Sequence, residues 1–181
     1  ESDLMTHMAP VRTDTLEAAL ARIFEGRMID RASWFALTGG EPLLRKGLPA
    51  LVARLAKVPG IEDLAMTTNA SLLARHAQAL RDAGLKRLTI SLDALDPALF
   101  RTLSGGRGEI DDVLAGIAAA ERAGFSAIKF NCVVQRGVND HEVERMAAHF
   151  RGTGHLLRFI EYMDVGTCNG WDRARVVPSR E

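Results

Sequence analysis

Five short runs along the chain alternate apolar and polar residues with a period of two, and the stretches between them carry apolar residues at helical spacing. The runs SWFALT, EDLAMTT, KRLTISLD, SAIKFNCVV and LLRFIEYM read as strands. In KRLTISLD, Leu88, Ile90 and Leu92 share one face and Thr89, Ser91 and Asp93 the other. In SAIKFNCVV, Ile128, Phe130, Cys132 and Val134 oppose Lys129 and Asn131, and around EDLAMTT, Leu64 and Met66 oppose Thr67 and Asn69. The span 48–57 sets Leu48, Leu51, Val52 and Leu55 on one helical stripe, with Pro49 in its first turn and Pro59-Gly60 beyond its end. Ser71 is placed to cap a helix that runs to Gly84. Asp96-Pro97 has the form of an N-cap followed by a first-turn proline, and Ile110, Val113, Leu114 and Ile117 make a further stripe that stops at Gly124. Asp140 opens a helix carrying Val143, Met146 and Phe150.

Five strands with four intervening helical segments, preceded by another helix over 13–24, predict successive βαβ units and hence an α/β fold with a parallel sheet. Residues 1–12 read as an N-terminal lead-in and 13–181 as one domain, a size that supports one hydrophobic core. An open doubly wound sheet is buried on both faces, so its strands read as continuous apolar runs. The alternation here fits a curved sheet better, with helices on one side and a polar concave side, as in a partial (βα) barrel. In such folds the ligand sits at the carboxyl ends of the strands. Those ends are Thr38 to Pro42, Thr67 to Asn69, Ser91 to Asp93, Lys129 to Asn131, and Glu161 to Asp164.

Charge changes this picture little. Lys plus Arg and Asp plus Glu both number 23, so no global field draws nucleic acid or an anionic membrane, and any charged ligand is held locally. The basic residues are scattered, with no nucleic-acid stripe. No apolar run reaches the ~20 residues of a membrane helix, and the first ten residues lack a signal-peptide pattern, so a cytoplasmic protein is expected. The histidines share no spacing with carboxylates and read as surface or helix-end residues, with no metal site among them. There are two cysteines, Cys132 and Cys168, and no C-x-x-C pair. Cys132 falls on the helix-facing side of its strand and reads as core. Arg158 is the basic residue that LLRFIEYM could direct into the concavity.

The stretch TGGEP directly follows the first strand. Two glycines there let a ligand approach the backbone, Pro42 fixes the turn, and Glu41 offers a carboxylate suited to a cationic or ammonium group. FALTGGEPLLR, followed in order by LAMTTNASLLARHAQALRDAGLKRLTISLDAL, IKFNCVVQRGVND and LLRFIEYMDVGTCNGW, resembles the GTP 3',8-cyclase family of radical S-adenosylmethionine enzymes, which opens molybdenum-cofactor biosynthesis. The resemblance implies a radical SAM barrel that converts GTP to a cyclic pterin precursor, 3',8-cyclo-7,8-dihydro-GTP, with S-adenosylmethionine as cofactor. It implies cofactor contacts at Gly40, Ser91 and Met163, with Gly39 and Glu41 as neighbours. It assigns Thr67 and Lys129 to GTP, and a lysine on the concave face suits a triphosphate.

The departures from the family pattern bear on the same site. The family holds a [4Fe-4S] cluster on C-x-x-x-C-x-x-C in its first strand and a second cluster on a later cysteine triplet, and neither motif occurs in these 181 residues. The chain by itself is therefore expected to be inactive. With no counterpart of that first strand, the sheet edge beside SWFALT is expected to be uncovered, and the chain to associate, as in a homodimer, or to be marginally stable. Ala36 and Trp34 stand where the family has basic residues, and Ala70 where it has glycine. A rival reading is a binding module that keeps the barrel without cluster chemistry. A further rival is a phosphate-binding barrel enzyme of another kind, for which the sequence supplies no acid/base pair.

Overall fold

The computed structural model describes residues 34–58, 60–165 and 171–180. Within them five strands form one sheet: β1 (Trp34–Leu37), β2 (Asp63–Thr68), β3 (Arg87–Ser91), β4 (Lys129–Val134) and β5 (Leu156–Glu161). The spatial order is β1-β2-β3-β4-β5 and every pairing is parallel. A doubly wound sheet reverses its order at a switch point, and this one does not, so the architecture is the partial (βα) barrel that the alternation predicts.

The helices are α1 (Leu48–Leu55), α2 (Leu73–Asp82), α3 (Pro97–Leu103), α4 (Ile110–Arg122) and α5 (Val143–Phe150). The β3–β4 connection thus holds two helices, divided where Gly105, Gly106 and Gly108 take positive φ that only glycine adopts cheaply. Asp96 caps α3 as expected, its Oδ1 accepting from Leu99 N at 2.8 Å. Ser71 does not cap α2. Its N–H and hydroxyl both donate to Asn69 Oδ1, at 3.0 and 2.8 Å, in a turn that precedes the helix. Asp140 opens a single 3-10 turn, Asp140–Glu142, that leads into α5. The expected lead-in over 1–12 and helix over 13–24 lie outside the described residues.

The core sits between the sheet and its helices. Leu64, Met66, Ile90, Phe130 and Cys132 point one way and are buried against Val52, Leu55, Leu80, Val113 and Phe150. Each large side chain so buried contributes ~1.5–3 kcal/mol. Helices α2 and α4 pack on each other, and Gly116 permits the approach of α4 to the turn after β2: a Cβ there would stand 2.4 Å from the carbonyl oxygen of Ala70. Ala70 itself is buried with φ +62°, a left-handed conformation that favours glycine and strains an alanine. β5 is the less covered strand, with Leu156 and Phe159 exposed. No helix among the described residues is long and apolar enough to cross a membrane.

Candidate functional site

The TGGEP turn leaves β1 with its backbone open. Gly39 has φ +112°, and a Cβ built on Gly39 or Gly40 would meet nothing within 4 Å. Glu41 departs from the expected outward carboxylate. Its Oε1 accepts from Leu43 N at 3.0 Å and from the Thr68 hydroxyl at 2.7 Å, and its Oε2 accepts from Asn69 N at 2.8 Å. Glu41 therefore ties the turn to the carboxyl end of β2, and the open surface offered to a ligand is the glycine backbone. Thr68 relays the tie, its Oγ1 accepting from Ala70 N at 3.0 Å.

The next rim segment follows β3. Ser91 is exposed and lines a cavity of about 190 Å³ with Asn69, Asp93, Phe100 and Arg107. Asp93 is an orienter here: its Oδ1 accepts from Val133 N at 2.7 Å and so fastens the end of β3 to β4. Burial pushes its carboxyl above the ordinary aspartate value, against the pull of the Val133 N–H. Two residues that sequence reasoning missed complete the fastening. Asn139, 1% exposed, donates to the carbonyls of Asp93 and Val133 at 2.8 and 2.9 Å and accepts from Gln135 N at 2.7 Å. Glu142, 4% exposed, accepts from Leu95 N at 2.8 Å and Asp96 N at 3.1 Å. Burial works to raise the Glu142 carboxyl, but those two N–H groups and Arg145 outweigh it and hold the group below its usual range. The available signal was Gly137 two residues before Asn139 and an acidic residue in the turn that follows, a pattern that also suits an ordinary surface turn.

On the concave face Thr67 and Lys129 come together, as expected. Register pairs Thr67 with Thr89 and Thr89 with Lys129, and one cavity of about 230 Å³ is lined by Ala36, Thr67, Arg87, Lys129, Asn131 and Arg158. Arg158 thus faces the concavity. Arg87 is ion-paired to Asp63 at 2.5 Å. The Oδ1 of Asn131 is buried with no hydrogen-bond partner, an acceptor left available beside the cations. Met163 lies apart from both groups, half exposed, in a cavity of about 560 Å³ with Glu161, Tyr162, Asp164, Trp171 and Arg173. The Trp171 Nε1 donates to the Tyr162 carbonyl at 3.3 Å.

No group of three His, Cys, Asp or Glu side chains able to hold a metal occurs among the described residues. Cys132 is buried, and desolvation, helped by the charges of Asp93 and Glu142, pushes its thiol up to about 12. Cys168 lies outside the described residues. Contrary to the surface or helix-end role expected of the histidines, the His155 side chain is only 6% exposed, 2.9 Å from Glu121 and against the Phe130 ring. The residue precedes β5, where the chain turns under the sheet.

This chain is 69% identical over 145 residues to a GTP 3',8-cyclase of Xanthomonas campestris pv. campestris (strain B100), covering 80% of the chain and 43% of that relative. It is 61% identical over 145 residues to a GTP 3',8-cyclase of Acidothermus cellulolyticus, covering 80% of the chain and 40% of the relative. The chain spans less than half the length of these relatives. A solved structure of coproporphyrinogen III oxidase (HemN) from Escherichia coli, a radical SAM enzyme, superposes with a TM-score of 0.62 at 15% identity over 93% of this chain and 42% of that one, a likeness of fold. With the radical SAM superfamily profile matching residues 7–150, on a parallel sheet whose glycine turn opens at the carboxyl end of β1, the chain belongs to the radical SAM superfamily.

Proposed function

We propose that this chain is the part of a GTP 3',8-cyclase that receives S-adenosylmethionine and the triphosphate of GTP, in the conversion of GTP to 3',8-cyclo-7,8-dihydro-GTP. The observation that carries the reading is the convergence of Thr67, Lys129, Asn131 and Arg158 on one concave cavity, with Gly40 in the turn after β1 and Ser91 at the carboxyl end of β3. The open glycine backbone fits the methionine moiety of the cofactor, and Ser91 and Met163 are the side chains we assign to it. S-adenosylmethionine, when bound and given one electron by an iron-sulfur cluster held outside the described residues, would break its sulfonium C–S bond to leave methionine and a 5'-deoxyadenosyl radical that takes a ribose hydrogen. Lys129 and Arg158 neutralise phosphate charge, Thr67 donates to the same group, and the Asn131 carbonyl accepts a hydrogen bond from the nucleotide.

A charge-assisted phosphate contact is worth ~1.5–3 kcal/mol, so Lys129→Ala is expected to weaken GTP binding roughly tenfold or more. Titration of GTP and ATP against the chain and the variant at two salt concentrations tests this. With Ala36 and Trp34 at the family's basic positions, binding is expected to be weak, and since the contacts named here are to phosphate, which GTP and ATP share, it is expected to be nearly blind to the base. Tight, guanine-selective binding, or no effect of Lys129→Ala, would reject the assignment.

The residues described do not fit an iron-sulfur cluster, since the Cys132 thiol is buried and held protonated. A second reading is a nucleotide-binding module without cluster chemistry. Anaerobic reconstitution of this chain with iron analysis and a 5'-deoxyadenosine assay tests that lack of fit: neither cluster nor 5'-deoxyadenosine is expected, and a stoichiometric cluster that cleaves S-adenosylmethionine would overturn it and eliminate the module. The exposed Phe159 of β5 supports self-association, most simply as a homodimer, which sedimentation across a concentration series would measure.

A further inference from the structure

We infer that Arg87 is a third phosphate-binding cation of the concave cavity, one that acts on the far end of a polyphosphate; this rests on the reading of that cavity as the site for the triphosphate of GTP. The sheet register sets out the geometry. Ala36, Ala65 and Arg87 lie on one level across β1, β2 and β3. Thr67, Thr89 and Lys129 lie on the next level towards the carboxyl ends, and Ser91, Asn131 and Arg158 on the one after. The three cations therefore climb one level with each strand, from β3 to β4 to β5, in a diagonal row on the concave face. Two residues along a strand span ~6.6 Å and neighbouring strands lie ~4.8 Å apart, so the row is elongated. An extended polyanion matches such a row better than a single compact charge.

Two features make Arg87 part of that row. The residues beside it on the same level, Ala36 and Ala65, are short, and both line the cavity together with Arg87, so its side chain has room there. Asp63, two residues before Ala65 on the same face, pairs with the guanidinium at 2.5 Å. A carboxylate takes at most two of the five N–H donors of an arginine, so at least three remain for another acceptor. The pair fixes the group without using it up. The neighbouring cations Lys129 and Arg158 repel Arg87 while the cavity is empty, and an anion between them relieves that repulsion.

The test is the dependence of affinity on the number of phosphates. GTP, GDP and GMP are titrated against the full chain, Arg87→Ala and Arg87→Lys, with circular dichroism and thermal melts of each. Arg87→Ala is expected to weaken GTP about fivefold to tenfold and GMP less than about twofold, and to lower the salt sensitivity of GTP binding. Arg87→Lys keeps the charge and is expected to stay within about threefold of the parent chain for GTP. If the parent chain binds GTP better than GMP and Arg87→Ala leaves GTP within twofold, the inference is wrong and the triphosphate reading stands. Equal weakening of GTP and GMP in both variants would reduce Arg87 to a structural role and also overturn it. If the parent chain binds GTP no better than GMP, the triphosphate reading itself fails and the inference falls with it.

Discussion

β4 and β5 are hydrogen-bonded neighbours with similar alternation and opposite surroundings. Phe130 of β4 is fully buried, its ring 4.2 Å from that of Phe150, whereas Phe159 of β5, on the same side of the sheet, is 38% exposed. Cys132 is buried on the helix side, and Phe159 is its register partner. Alternation in a sequence determines which residues share a face. Whether that face is covered depends on the element that packs against it, and α5 reaches Phe130 through Phe150 but leaves Phe159 partly open.

The sharpest way to test the contrast is truncation on each strand. Phe130→Ala is expected to cost ~3–5 kcal/mol in urea unfolding, because it removes a fully packed ring from a site that cannot collapse. Next in size is Gly116→Ala. Its methyl would meet the Ala70 carbonyl at 2.4 Å, and pushing α4 off the sheet would give β2 and β3 the poor cover of β5, at a cost of ~1–3 kcal/mol read from the thermal midpoint. A smaller effect belongs to acid. The Glu142 carboxyl is held below its ordinary 4.5, so the stability it contributes is complete above that value and is lost as pH falls below it and through the lower folded value. Asp93, raised by burial, has the opposite sign, because protonation there relieves a penalty as pH falls. Glu142→Gln is expected to lose less stability than the parent chain as pH falls from 5 to about 3, and an unchanged acid limb would remove Glu142 from the account. The smallest effect is expected for Phe159→Ala, under ~1 kcal/mol. A loss as large as that of Phe130→Ala would erase the distinction between the two strands.

Much of this fold was legible in the chain. All five strands, the helix-facing side of Leu64, Met66, Phe130 and Cys132, and the concave grouping of Thr67 with Lys129 follow from a period of two, which needs no knowledge of the partner strand. What was not legible depends on contacts across long separations. Glu142 reads as an ordinary acidic residue in a helix start, and its partners Leu95 N and Asp96 N are 47 and 46 residues earlier. Glu41 reads as a carboxylate facing a ligand until Thr68 and Asn69 are seen to occupy it. Asn139 is hidden for the same reason, since its value lies in two carbonyls that only the β3–β4 pairing brings within reach.

The Cys132 thiol at the β3–β4 seam has one more consequence. With its pKa pushed up to about 12 by burial, the thiol is protonated at neutral pH, and burial also keeps reagents from it. Alkylation of Cys132 then proceeds at the frequency with which the seam opens. Timed modification with a maleimide, read by peptide mass at Cys132, is therefore a built-in clock for local unfolding of the wall that carries Ser91, and any ligand that braces that wall should slow it.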